Sequence, residues 1–183
     1  MLGQIASFLV DTAITFFVFL LLLRFHFQWL RVPFRNQVGE FVLRSTGWIV
    51  LPARRVIPGL KGLDLATLVL AWAVQGLGEW TLAWIAGRDP TLAAVALLAL
   101  MDLLRYSLYI LIGAVIIQVV FSWLNPYTPA APVLDALTRP FLRPLRRFVP
   151  LLGNIDLTPL VLVVLVQVVL IVVWHLRPSV AGL

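Results

Sequence analysis

Four stretches of this sequence are long and apolar enough to cross a lipid bilayer as helices, and nothing else constrains the fold as strongly. A hydrocarbon core about 30 Å thick takes roughly 20 predominantly apolar residues in helical form. The first stretch runs from about Ile5 to Leu23, with Asp11 as its only charge. The second runs from about Leu65 to Gly87 and is interrupted by Gly76, Gly78 and Glu79. The third extends from Thr91 to Leu124, with Asp102 and Arg105 ahead of an uncharged run from Tyr106. A helix of that length is about 50 Å long, so Thr91 to Met101 is expected to lie along the outer interface or to extend outside. The fourth, Leu157 to Leu176, is almost purely Leu, Val and Ile. The predicted fold is all-α: a polytopic membrane protein with four transmembrane helices. Composition agrees, since 62% of residues are hydrophobic and 12% charged, against about a quarter charged in soluble domains. That balance excludes a soluble enzyme and a disordered chain alike. With no cysteine, a disulfide framework and a thiolate metal site are excluded as well.

The placement of the basic residues predicts topology. Arg31, Arg35, Arg44, Arg54, Arg55 and Lys61 fall between the first two spans, and Arg139, Arg143, Arg146 and Arg147 between the last two. The remaining connection holds only Arg88, and the C-terminal end only Arg177. By the positive-inside rule, loops 31–63 and 125–155 are expected to be cytoplasmic and both termini external, in a multi-pass inner (cytoplasmic) membrane protein. The start lacks a basic n-region and a small-residue cleavage site, so the first span is expected to remain in the mature protein.

The chain also repeats itself. Shifting it by 92 positions aligns Thr46–Gln75 with Thr138–Gln167 without a gap, and 13 of 30 positions are identical. Six of these are Leu or Val, which an apolar chain supplies by chance. The others are Thr46/Thr138, Pro52/Pro144, Arg54/Arg146, Arg55/Arg147, Pro58/Pro150, Asp64/Asp156 and Gln75/Gln167. Upstream, with a small shift, Trp29 matches Trp123 and Arg24 matches Gln118. The predicted organisation is two parallel two-helix repeats. Residues 1–87 carry spans at about 5–30 and 64–87 around basic loop 31–63; residues 91–183 carry spans at about 102–124 and 156–176 around basic loop 125–155. Both halves run in the same direction, unlike the inverted repeats of many transporters.

The stretch LTRPFLRPLRRFVPLLGNIDLTPLVLVVLVQ, preceded by FSWLNP, resembles the YggT family (YlmG in some bacteria and plastids), and VLPARRVIPGLKGLDLATLVL resembles its degenerate first copy. The resemblance covers about Leu9 to Val173. Its signature falls on Pro52, Arg54, Arg55, Pro58 and Asp64, and again on Pro144, Arg146, Arg147, Pro150 and Asp156. The first copy departs in having Ala53 opposite Leu145, no proline opposite Pro140, and Asn36-Gln37 opposite Asn125-Pro126. The resemblance implies a small integral membrane protein with no catalytic mechanism. Family members are linked to osmotic-stress tolerance, to cell-division and cell-shape gene neighbourhoods, and in plastids to cytochrome b6f assembly and nucleoid distribution.

Three constellations are candidates for function. From Leu134 to Val149, apolar Leu134, Leu137, Phe141, Leu145 and Phe148 recur at three and four residues, while Asp135, Arg139, Arg143 and Arg147 recur at four. That pattern gives an amphipathic helix for the inner interface, with Arg139, Arg143, Arg146 and Arg147 available to anionic lipid or a protein partner. Pro140 and Pro144 are expected to kink it or split it into short turns. Asp64 and Asp156 stand just before apolar runs, where a carboxylate caps a helix; the alternatives for Asp156 are an ion pair with Arg146 or Arg147 and an ion or substrate site. Gln75 and Gln167 fall about eleven residues into their spans and are expected to point inward as polar glue, meeting near a pseudo-two-fold axis. Asp102 and Arg105 read as a neutralising pair.

His26 and His175 lie near opposite membrane faces, so neither a shared metal site nor a nucleophile–base pair is expected, and each reads as an interfacial anchor. No phosphate-binding glycine loop or cofactor motif is present, and no cofactor is expected. The basic residues are spread under spans with no folded reading module, which argues against nucleic acid. The expected function is a non-enzymatic membrane scaffold or assembly factor, contacting anionic lipid and working as a homo-oligomer or in a membrane protein complex. A small ion channel or transporter component affecting osmotic balance is the alternative, and an enzyme of lipid or envelope metabolism lacks a catalytic set.

Overall fold

The structure, a computed structural model, describes residues 1–34, 36–59, 62–125, 128–149 and 156–181. The signature residue Pro150 and the basic residues Arg35 and Lys61 lie outside the described residues. Among the described residues six helices follow one another: α1 (Leu2–Trp29), α2 (Gln37–Val56), α3 (Leu65–Ile85), α4 (Leu92–Leu124), α5 (Ala131–Leu145) and α6 (Thr158–Ala181). Four of them, α1, α3, α4 and α6, are long and apolar enough to cross a membrane. The all-helical, four-span expectation is met.

Packing orders the spans α1, α3, α4, α6, each against the next, with α1 also touching α4. Because α1 leads to α2 and then α3, while α4 leads to α5 and then α6, the two amphipathic helices lie at the same end of the bundle. This end is called the basic end below. One apolar cluster joins Val18, Leu21 and Leu22 of α1 to Val50 of α2, Ala71 of α3 and Leu103, Tyr106 and Ile110 of α4. A second seats Val133, Leu134 and Leu137 of α5 against Phe27 and Ala114. A third packs Leu142 of α5 and Leu162, Val166 and Leu170 of α6 against Leu111 and Val115. Exposed Trp29 and Trp123 close α1 and α4 at the basic end, and exposed Trp84 and Trp174 lie toward the other end of α3 and α6, where amphipathic rings suit a membrane–water interface.

Helix limits follow from local chemistry. The Asn36 side chain accepts from the Gly39 amide at 2.9 Å and opens α2, and the Thr91 hydroxyl accepts from the Ala94 amide at 3.1 Å and opens α4. Gly39 has no substitute, because a Cβ there would stand 2.5 Å from the Phe34 carbonyl oxygen. α3 stops at Gly87, whose φ of +67° lets the Arg88 amide reach back to the Ala83 carbonyl at 2.9 Å.

Two expectations need correction. Of the two expectations for Thr91–Met101, the separate interfacial piece gives way and the extension beyond the bilayer is left: Leu92 to Leu124 is one 33-residue helix, and Ala94, Val95, Leu98 and Ala99 are buried in it. No proline interrupts this stretch, and Val95 and Ala99 face Gly76 of α3. Nor do Pro140 and Pro144 split α5, which continues through both to Leu145. The missing amide bonds fall in its last turns, on the exposed side, so they cost less than in a buried helix interior.

Candidate functional site

The basic end is tied together twice by the same residue types. In the first half, Arg54 donates to Asp64 through Nη2 at 2.5 Å and Nε at 3.3 Å, and Nη2 also reaches the Gln28 Oε1 at 2.6 Å. Asp64 meanwhile accepts from the Thr67 amide and hydroxyl, capping α3. In the second half, Arg146 Nε donates to Asp156 Oδ2 at 3.1 Å, and Asp156 accepts from the Thr158 amide at 2.9 Å. Each aspartate therefore accepts from the opening turn of its helix and pairs with an arginine, roles that the sequence posed as alternatives at Asp156. Arg147 takes no part, and neither does Arg55; both are exposed.

The two copies differ in depth. The Asp64 side chain is 2% exposed and that of Asp156 31%. Burial pushes the Asp64 carboxyl up, but the bonds from Arg54 and Thr67 outweigh it and hold the group below its usual range. At Asp156 burial acts in the same sense, and Thr158 and Arg146 again bring the carboxyl below its usual range.

A second pair of ties joins each amphipathic helix to the preceding span. Arg24 Nη1 donates to the buried Thr46 Oγ1 at 2.8 Å, and Thr138 Oγ1 donates to Gln118 Oε1 at 2.6 Å. Both threonines are fully buried and also bond their own helix, to the carbonyls of Val42 and Leu134. These are the equivalent positions of the two halves, so a cation in one copy and an amide in the other meet the same hydroxyl.

Held this way, α5 turns Leu134 and Leu137 inward and leaves Arg139, Arg143 and Arg147 exposed. With Pro140 and Pro144 they line an open groove of about 570 Å³. Arg139 also pairs with Asp135 one turn earlier. Phe148, expected on the apolar face, is exposed, because the helix ends at Leu145 before reaching it.

At the opposite end, ionisable groups from three spans converge. Arg177 of α6 donates through Nη2 to Glu79 Oε1 of α3 at 2.9 Å and through Nη1 to Asp102 Oδ1 of α4. Arg105 reaches Asp102 at 3.2 Å, the neutralising pair expected from the sequence. Gln75 Nε2 donates to Asp102 Oδ2 at 3.1 Å and to Glu79 Oε1 at 3.4 Å. Arg105 also bonds the Tyr106 hydroxyl at 3.2 Å, which in turn meets Thr15 of α1. Two carboxylates and two guanidiniums balance, as charges within a membrane must. A cleft of about 260 Å³ opens beside them, lined by Asp11, Glu79, Arg88, Arg105, Tyr106 and Arg177.

The expected meeting of Gln75 and Gln167 does not occur. Gln75 is buried and donates to Asp102 of α4 and to Glu79 of its own helix, whereas Gln167 stands on the exposed side of α6. The equivalent faces have different neighbours: α3 has α4 beside it, and α6 is the last span in the row. His26 and His175 each turn Nδ1 to the carbonyl one turn back in their own helix, Leu22 and Ile171. The Glu79–Arg177 contact was not foreseen. The available signal was an ionisable residue inside an apolar span and another at the end of one.

A sequence model of the CCB3/YggT family matches residues 3–85 and 97–177. Among relatives, an uncharacterised Pseudomonas aeruginosa protein is 33% identical over 163 residues, 87% of this chain and 83% of its own length. The uncharacterised YggT of Escherichia coli K12 is 32% identical over 164 residues, 89% of this chain and 86% of its own. An uncharacterised Haemophilus influenzae protein is 30% identical over 162 residues, 87% and 86% of the two chains. No solved structure matches the chain.

Proposed function

The chain belongs to the CCB3/YggT family, and from that premise we propose that it is a non-enzymatic membrane scaffold or assembly factor of the inner membrane. In this reading the basic end faces the cytoplasm, both termini face outward, and the amphipathic helices present a fixed docking surface at the inner interface.

The observation that carries the reading is the double anchoring of α2 and α5. Arg54–Asp64 with Arg24–Thr46, and Arg146–Asp156 with Gln118–Thr138, fix two short helices to the spans around them. A 15-residue helix such as α5, with two prolines inside it, is marginal on its own. Anchoring them leaves Arg139, Arg143 and Arg147 in one groove, where anionic headgroups or an acidic partner segment gain from several guanidiniums at once. Glu79, Asp102, Arg105 and Arg177 at the opposite end pair with one another, and between the two ends lies the apolar layer of Val18, Leu21, Leu22, Leu103 and Ile110. A scaffold tolerates such a layer; an ion path does not. Osmotic and envelope stress, cell division and biogenesis of membrane complexes are the settings in which such a scaffold would act.

The channel or transporter alternative draws support from one feature, the charged cleft around Glu79, Asp102, Arg105 and Arg177. A photo-crosslinking residue at Arg143 separates the readings in cells. The scaffold predicts a discrete protein or anionic-lipid adduct from that position and none from Ile116, which is exposed on α4. Equal, diffuse labelling from both would remove the basis of the scaffold.

A further inference from the structure

Gln167 is a polar residue in the middle of a span that the bundle does not accommodate. It lies nine positions into α6, on the exposed side, with no hydrogen-bond partner among the described residues. The side of α6 that meets α4 and α5 is the stripe Leu162, Val166, Leu170 and Val173, all buried. On the far side Leu160, Val164, Gln167, Ile171 and Trp174 follow one another at alternating spacings of four and three, and all are exposed. This is the spacing of a helix–helix seam, about 21 Å long, with one polar residue at its centre. The apolar members alone would say only lipid. The amide says more, because a primary amide in hydrocarbon leaves two donors and an acceptor unsatisfied.

The first half supplies an internal comparison. Gln75 occupies the equivalent place in α3, and there the neighbouring span α4 covers it and accepts its amide hydrogens through Asp102. Among the described residues no span covers the Gln167 side of α6, so a partner for this amide is to be sought in another chain.

We propose that the outward stripe of α6 is the interface of a parallel two-fold dimer, in which the Gln167 amides of two copies bond to each other. Three features select a second copy over another partner. An amide is self-complementary, with a donor and an acceptor on one group. A two-fold axis along the membrane normal places Gln167 opposite Gln167 at equal depth, as an isologous interface requires. The stripe carries no charge, so it asks for an apolar face with a single polar group at that height, and that description fits the stripe itself. In lipid, where apolar burial does not drive association, packing and an interhelical hydrogen bond are what join helices. The dimer does not depend on the docking role of the basic groove.

The chain has no cysteine, so single-cysteine variants report cleanly. In proteoliposomes under mild oxidation, Val164→Cys and Ile171→Cys should form dimers about tenfold faster than Ile116→Cys or Phe16→Cys, exposed positions on other spans, if α6 seams face each other as side-chain pairs in contact. In a second measurement, energy transfer between labelled copies is followed as lipid dilutes the protein. Gln167→Leu should require about three- to tenfold more protein per lipid to reach half-dimer, with Gln167→Asn closer to the parent. The outward position means that Gln167→Leu keeps its fold, which an unchanged melting temperature verifies. Equal crosslinking at all four positions, energy transfer absent at every dilution, or a Gln167→Leu protein that dimerises like the parent would each overturn the proposal.

Discussion

Arg177 Nη2 lies 2.9 Å from Glu79 Oε1, so the last span of the second half holds the second span of the first across 98 positions of sequence. The same guanidinium also reaches Asp102 in α4. Three spans thus depend on one side chain near the end of the chain, in surroundings where an unpaired carboxylate is costly.

Arg177→Gln should therefore be among the most damaging single changes. Removing one partner of a buried ion pair costs roughly 3–5 kcal/mol, and the 27% exposure of this side chain places the loss toward the lower figure. Thermal unfolding in detergent measures it. Combining Arg177→Gln with Glu79→Gln should recover part of the loss, the non-additivity expected of groups in contact.

Asp64 and Asp156 make the same contacts at different depths, so their substitutions should differ. Asp156→Asn keeps an acceptor for the Thr158 amide and loses a partly exposed ion pair, for about 0–1 kcal/mol. Asp156→Ala also removes the cap, adding about 1 kcal/mol. Asp64→Asn leaves Arg54 without its counterion beside buried Thr67 and should cost more than either change at Asp156. Thermal stabilities of the three variants, each also in an Arg146→Gln or Arg54→Gln background, check the order.

The same carboxylate sets a pH dependence. Held below its ordinary range by Arg54 and Thr67, Asp64 contributes stability that is complete above the pKa of the unfolded chain. That contribution is lost as pH falls through the carboxylate range toward the folded value. Wild-type melting temperature should drop on acidification through this window, and the Asp64→Asn profile should be flatter there.

The groove on α5 predicts a salt-sensitive lipid effect. Anionic phospholipid should raise the melting temperature of the solubilised protein more than neutral lipid does. Replacing Arg139, Arg143 and Arg147 together by Gln should remove most of that difference, at about 1 kcal/mol per arginine. Added salt should have the same effect, since these side chains are exposed and screened.

Much of this arrangement is legible in the sequence because it is local. Span length is counted directly, the three-and-four spacing around Leu134 and Leu137 gives α5 its buried face, and Asp64 and Asp156 are recognisable caps. The Arg146–Asp156 pair is ten positions long and was among the alternatives. What sequence does not carry is which span stands beside which. Gln75 and Gln167 are the same residue at the same repeat position, yet one is buried and the other exposed, because α3 lies between two spans, α1 and α4, and turns Gln75 to α4, whereas α6 packs on α4 with its opposite stripe and leaves Gln167 outside. The joining of Glu79, Asp102 and Arg177 has the same origin. Pro140 and Pro144 do not split α5, because local propensity outweighs neither the packing of Leu137 and Leu142 nor the buried bond at Thr138.

The most direct test of the scaffold account is ion flux in proteoliposomes holding the purified chain, with the charged cleft intact and the apolar layer of Leu21, Leu22 and Leu103 beneath it. The account predicts flux no greater than in empty liposomes, at any salt gradient or membrane potential. A conductance that follows the protein and disappears in Glu79→Gln would contradict it.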